Sequence, residues 1–182
     1  MSALARAASI PMPTARGHRW AVGAVGAFIA VALLGRYGFT GEGFLFAFVG
    51  MVLVLVSAID LERRIIPNRI VLPAIAIVLT AQIALSPDRT LEWVLAALGC
   101  GLFFLLPLIV YPSGLGLGDV KLAVLIGAAL GLAAMGALLI GLFAGAAFAA
   151  SILLRQGTSA RKATIAFGPF LAFGALFSLL FL

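Results

Sequence analysis

From Trp20 to the C-terminus the chain is a succession of long apolar runs, with most of its charged residues confined to short segments between them. That pattern limits the fold more than any single motif does. The runs are Trp20–Leu34, Gly43–Ile59, Ile70–Leu85, Leu91–Tyr111, Val120–Leu130, Leu132–Leu154 and Thr164–Leu182. Most approach the ~20 residues that carry a helix across a bilayer; the first and third need their flanks, and Val120–Leu130 is shorter still. Val120–Leu130 reads either as a half-span opening at a glycine hinge or as a helix continuing through Gly131 before it turns. Composition agrees: 64% of residues are hydrophobic and the mean hydropathy is +1.26, against an apolar share of about 45–50% in soluble domains. The expectation is an all-α, polytopic membrane helix bundle of about seven transmembrane helices, with six as the competitor. Residues 20–182 would form a single transmembrane domain behind a basic tail, residues 1–19.

Charge placement chooses between six and seven spans. With the N-terminus inside, cytoplasmic segments hold Arg6, Arg16, Arg19, Arg63, Arg64, Arg69, Lys121, Arg155, Arg161 and Lys162, and the far side holds only Arg36 and Arg89. Cytoplasmic loops of membrane proteins carry such an excess of Lys and Arg. Merging Val120–Leu154 into one span would put Arg155, Arg161 and Lys162 outside, so seven spans fit better. The net charge of +6 is then topological, and no nucleic-acid partner is expected. The basic start and first run could be read as a signal peptide, but no clear small-residue cleavage site follows, which favours an uncleaved first helix.

The chain lacks a GxGxxG, Walker A or HExxH pattern, and has one cysteine, Cys100, and one histidine, His18. A lone cysteine in an apolar run excludes an internal disulfide and a thiolate zinc site within the chain. Neither a metal nor another cofactor is expected. Gly141 and Gly145 make a small-xxx-small pair that lets helix backbones approach closely in lipid; it reads as close packing of the bundle rather than a groove for a guest helix.

The acids carry the chemistry. Pro112–Leu122 reads P-S-G-L-G-L-G-D-V-K-L, with Gly114, Gly116 and Gly118 ahead of Asp119, so regular helix is expected only after Gly118. Asp60 ends the apolar run Gly43–Ile59. An acid beside membrane-length apolar sequence is costly, and by default marks function. The topology puts Asp60 at the cytoplasmic end of the second span and Asp119 at the cytoplasmic start of the fifth, at one depth. Two carboxylates a few ångströms apart in a poor dielectric do not both ionise easily, and they titrate as a unit. A shared proton suits peptide hydrolysis: one group takes a proton from water while the other polarises the scissile carbonyl. Two other readings stand beside this one. The acids could form a proton or cation relay in a transporter, or each could snorkel beside a basic neighbour, Arg63 or Arg64 for Asp60 and Lys121 for Asp119, in a non-enzymatic membrane scaffold.

Three blocks are recognisable. Gly116–Leu122, G-L-G-D-V-K-L, resembles the GxGD signature of the polytopic aspartic proteases called type IV prepilin peptidases. Asp60–Asn68, D-L-E-R-R-I-I-P-N, resembles that family's first catalytic segment, and Ala166–Gly174, A-F-G-P-F-L-A-F-G, its P-F-G-P-F-L-x-x-G block, with Ala166 where proline is frequent. The resemblance spans roughly residues 44–182. It implies an endopeptidase of the bacterial inner membrane that removes the leader of prepilins or pseudopilins at the cytoplasmic face, among lipid and pilus or secretion assembly machinery. By it Asp60 and Asp119 would be the catalytic dyad, Gly116 and Gly118 would shape the active-site loop, and Lys121, Pro67, Asn68, Phe167, Gly168 and Pro169 would support it. Glu62 could guide a basic leader. Longer members carry paired CxxC motifs and N-methylate the product; with one cysteine, this chain resembles the short, peptidase-only branch serving Flp-type pili.

Overall fold

The computed structural model describes residues 15–110, 116–156 and 166–182. Residues 1–14 of the basic tail, Pro112–Gly114 of the hinge, and Arg161 and Lys162 lie outside the described residues. Among the described residues the chain forms seven α-helices: α1 (Ala15–Tyr37), α2 (Gly41–Arg63), α3 (Asn68–Leu85), α4 (Thr90–Val110), α5 (Leu117–Leu130), α6 (Ala134–Gln156) and α7 (Gly168–Phe181). Short 3-10 turns, Pro87–Arg89 and Gly131–Ala133, precede α4 and α6. Five stretches are long and apolar enough to cross a membrane; the last of them, Leu117–Arg155, is one hydrophobic stretch of 39 residues. The backbone divides it at Gly131, at φ +59, where a side chain would meet Glu92 and Trp93 of α4. Gly131 is thus both the left-handed residue and the close-packed one, which settles a boundary the apolar pattern leaves open.

α5 forms the centre, packed against α3, α4, α6 and α7. Its buried residues, Leu122, Ala123, Leu125, Ile126, Gly127, Ala128 and Ala129, leave no polar stripe, as a helix enclosed on all sides requires. The outer helices turn Phe28, Val31, Leu98, Leu102, Leu106 and Phe143 outward, each more than half exposed; an apolar surface of this extent belongs in lipid.

Glycines set the closest helix contacts. At Gly127 an added Cβ would stand 2.5 Å from the Ala96 carbonyl oxygen on α4. At Gly141 it would lie 2.7 Å from the Phe170 carbonyl oxygen, and at Gly145 2.8 Å from the Phe167 ring. The small pair on α6 is therefore filled by α7 of the same chain, and serves the bundle's own packing.

Polar contacts tie down the end of the bundle opposite Asp60. Gln82, 2% exposed, donates to the Ala129 carbonyl at 2.8 Å near the end of α5. Tyr37 Oη donates to the Leu179 carbonyl of α7 at 3.0 Å. Arg89 makes a two-pronged pair with Glu92 at 2.9 and 2.7 Å, and the Glu92 carboxylate accepts from the Leu132 N–H at 3.4 Å. These contacts level the ends of α1, α3, α5 and α7, so the chain alternates direction between two ends.

Candidate active site

At the other end of the bundle three segments distant in sequence converge. Asp60 lies in the last turn of α2, which closes when the Arg64 N–H bonds the Asp60 carbonyl at 2.8 Å. Arg64 itself is left-handed, at φ 54 and ψ 38, a conformation that costs a side-chain-bearing residue about 1 kcal/mol. The chain thereby turns sharply through Ile65 and Ile66 into α3. Pro67 is the N-cap of α3, its carbonyl accepting from the N–H groups of Ile70 and Val71 at 3.1 and 3.2 Å. Proline suits a place where the helix needs no donor.

Asp60 is 5% exposed. Its Oδ2 accepts a hydrogen bond from the Gly168 backbone N–H at 3.0 Å. Gly168 is the first residue of α7, where the N–H groups have no partner inside the helix. A Cβ at Gly168 would stand 2.8 Å from Asp60 Oδ2, so only glycine lets the helix end approach the carboxylate this closely. Phe167 is the N-cap and Pro169 sits in the first turn of α7. The Phe167 ring packs against Phe104 and Phe170, at centroid distances of 6.5 and 6.2 Å.

Asp119 is 8% exposed and occupies the third position of α5. Its Oδ2 accepts from the Gly116 N–H at 3.1 Å, and its own N–H bonds the Gly116 carbonyl at 3.0 Å. This reciprocal cap explains a departure from the sequence reading. The helix starts at Leu117, one residue ahead of Gly118, because an acid at its third position closes the first turn despite the glycines.

The two acids are joined by contacts on both sides. An added Cβ at Gly118 would lie 2.7 Å from Ile66 Cβ, so the turn after α2 rests directly on the α5 start. Three residues beyond Gly118, Lys121 Nζ donates to Asn68 Oδ1 at 2.8 Å, tying α3 to α5. α7 packs against both α2 and α5. The carboxylates are close enough for the Asp60 charge to act on Asp119.

The simple snorkelling picture does not describe this geometry. Both acids are buried and bonded to helix N-termini, and Lys121 turns to Asn68 instead of Asp119. Of the residues picked from sequence, Asp60, Asp119, Gly116, Gly118, Lys121, Pro67, Asn68, Phe167, Gly168 and Pro169 all belong to this cluster or to the helix starts that form it. Glu62 does not face Asp60. Two residues along a helix is a turn of about 200°, and Glu62 lines a groove of about 770 Å³ between α1 and α2 with Gly23, Gly26 and Met51. Ile66 was missed. Its signal was an apolar residue inside the Asp60–Asn68 block, which looks like ordinary core until Gly118 is placed beneath it.

Among the described residues no group of three or more His, Cys, Asp and Glu gathers as a metal would need. Cys100 is buried in α4.

The fold is that of a polytopic helical membrane protein with an acid-bearing site at one end. The profile of the type IV leader peptidase family matches residues 46–154. That stretch is more than half of the chain and contains both Asp60 and Asp119, and the chain belongs to this family. The Ala166–Gly174 block lies beyond the matched residues. Neither the search of curated proteins nor that of solved structures finds a match. Family membership makes the chain a protease of the leader-peptidase kind, with a prepilin-type substrate.

Proposed function

We propose that the protein is an aspartic endopeptidase in which Asp60 and Asp119 form the catalytic pair and cleave the leader of Flp-type prepilins or pseudopilins at the cytoplasmic face of the bacterial inner membrane. The observation that carries this reading is the convergence of three segments on the two acids: Gly168 on Asp60, Ile66 on Gly118, and Asn68 on Lys121. Transport and scaffold readings give no reason for a family profile of leader peptidases across both acids.

The chemistry needs only the pair and a water molecule. With one carboxyl protonated, the ionised partner takes a proton from water as the water oxygen bonds the scissile carbonyl carbon. The protonated carboxyl gives its proton to the carbonyl oxygen. The tetrahedral intermediate then collapses: the C–N bond breaks, the proton held by the first carboxyl passes to the departing amine nitrogen, and one hydroxyl of the intermediate returns its proton to the second carboxylate as the carbonyl reforms. One water is consumed and one peptide bond lost. Each acid is held by Oδ2 on a backbone N–H, which fixes its plane.

The orientation follows from charge. Arg63, Arg64, Arg69, Lys121 and Arg155 lie toward the site end, and Arg36 and Arg89 toward the other, which supports a cytoplasmic site. The single cysteine supports peptidase action without the zinc-bearing methyltransferase part.

The test is cleavage of a purified Flp-type prepilin by the purified protein, with Asp60→Asn and Asp119→Asn made separately. Each variant should lose about a thousandfold in kcat, within the range of acid–base contributions. Either variant retaining near-normal cleavage while folded would refute the pair. Acid-dependent ion flux in liposomes without cleavage would favour the transporter instead.

A further inference from the structure

We infer that Ile66 is a positioning residue that sets the separation of the two acids. This inference rests on the proposed pair but assigns a role the pair alone does not require. The side chain lies lengthwise over the α5 start. A Cβ added at Gly118 would meet Ile66 Cβ at 2.7 Å, Cγ1 at 3.3 Å and Cδ1 at 3.4 Å, so Ile66 fills the space a side chain at 118 would take. Gly118 immediately precedes Asp119, and Ile66 follows Asp60 by one tight turn closed at the left-handed Arg64. The contact is therefore the short mechanical path between the two carboxylates.

Ile66 is suited to this. It is buried, at 9% exposure, and a β-branched side chain is stiff about its first torsion. The neighbouring tie, Lys121 to Asn68, is exposed and competes with water, whereas the Ile66 contact is buried. The apolar contact therefore dominates the spacing, and the hydrogen bond sets register. Charged groups on the elements around the contact are Asp60, Glu62, Arg63 and Arg64 on α2 and its turn, Arg69 on α3, and Asp119 and Lys121 on α5.

The inference predicts size compensation, tested in the full chain with a purified Flp-type prepilin. Gly118→Ala should lower kcat/KM about a hundredfold, the loss that displacement of a catalytic group by about 1 Å produces. Ile66→Gly, which removes the Cβ, should lower it about tenfold, and Ile66→Val, which keeps the Cβ and its branch, should stay near wild type. The double variant Gly118→Ala/Ile66→Gly should recover to within about tenfold of wild type, because the new methyl then no longer meets the Ile66 Cβ at 2.7 Å. The pH profile separates positioning from general damage. Acids forced apart interact less, so Gly118→Ala should bring the two limbs of the kcat/KM profile closer together, and the double variant should restore their spacing.

A double variant no better than Gly118→Ala, an Ile66→Gly chain with full activity, or losses with unchanged pH limbs would each overturn the inference. A readout free of catalysis distinguishes its failure from that of the proposed function. In a Cys100→Ala chain carrying Asp60→Cys and Asp119→Cys, a short dibromide that alkylates both thiols, losing one bromide to each, should bridge the pair. Gly118→Ala should slow bridging and Ile66→Gly added to it should restore the rate. Restored bridging, when the chain with both acids intact cleaves no prepilin, upholds the spacing role and rejects the peptidase pair; bridging that is not restored, when the chain with both acids intact cleaves prepilin, does the reverse.

Discussion

Gly168→Ala puts the contact between α7 and Asp60 under the sharpest test. The added methyl would stand 2.8 Å from Asp60 Oδ2 and 3.2 Å from Cγ. Relieving that overlap moves the carboxylate and the helix start apart by about 0.5 Å, which stretches the 3.0 Å bond from Gly168 N–H to roughly the outer limit of a hydrogen bond. A charge-assisted bond of this kind contributes about 1.5–3 kcal/mol, and losing it swings the carboxylate away from its reacting position. The expected outcome is a 10- to 100-fold fall in kcat with KM nearly unchanged, since misplacement by about 1 Å costs about 100-fold. Helix propensity works in the opposite direction, because alanine stabilises a helix over glycine by about 1 kcal/mol. The gain offsets only part of the loss, so the variant should cleave worse and stay folded, less stable than wild type by about 0.5–2 kcal/mol. Steady-state cleavage of purified prepilin, followed by the mass change on leader loss, measures the first; thermal unfolding in detergent measures the second. Gly99→Ala, in the interior of α4 where an added Cβ meets nothing within 4 Å, is the control: it should leave cleavage unchanged and raise the unfolding temperature slightly. Full kcat in folded Gly168→Ala would refute the claim that the α7 start orients Asp60.

Three further variants probe the remaining contacts. Lys121→Met and Asn68→Ala each remove one side of the 2.8 Å bond between α5 and α3; each should lower kcat/KM about threefold and the double variant no further, a coupling read by a double-mutant cycle. Gln82→Leu removes the 2.8 Å bond to the Ala129 carbonyl at the far end of α5; it should cost about 1 kcal/mol in unfolding, near the usual value for such bonds between membrane helices, and leave kcat intact. Arg64→Gly relieves the left-handed residue at φ 54 and should stabilise the fold by about 1 kcal/mol, seen as a raised unfolding temperature with cleavage retained.

The helices were largely legible because membrane-length apolar runs leave few alternatives. The run Leu91–Tyr111 becomes α4 at Thr90–Val110, and Ile70–Leu85 becomes α3 at Asn68–Leu85. The cut between α5 and α6 was harder, because Gly131 and Gly136 look alike in sequence. What distinguishes them is a distant neighbour: Trp93 and Glu92 press against Gly131, while an added Cβ at Gly136 meets nothing within 4 Å. The site shows the same division. Depth and charge bias predict Asp60 and Asp119 at one end of the bundle, and both acids lie there, each bonded to a helix start. That Gly168, 108 residues away, would give Asp60 its N–H, or that Ile66 would lie on Gly118, depends on how α7 and the α2–α3 turn pack. No local propensity encodes those contacts.

Helix length ties the fold to the chemistry. α5 and α7 are each 14 residues long, about 21 Å at 1.5 Å per residue, against a hydrocarbon thickness of about 30 Å. Their far ends are level with the ends of α1 and α3 through the Tyr37–Leu179 and Gln82–Ala129 bonds, so the shortfall of roughly 9 Å falls on the site side. α2, at 23 residues, runs about 35 Å and carries Asp60 in its final turn. Two helices thus stop short beside one that does not. The truncation supplies what the acids need, because a helix start is where backbone N–H groups lack an internal partner. Gly116 and Gly168 stand at those two starts and donate to the two carboxylates. If α7 extended by two more turns, the Gly168 N–H would bond within its own helix and Asp60 would lose its donor. The short helices and the held acids are therefore one feature.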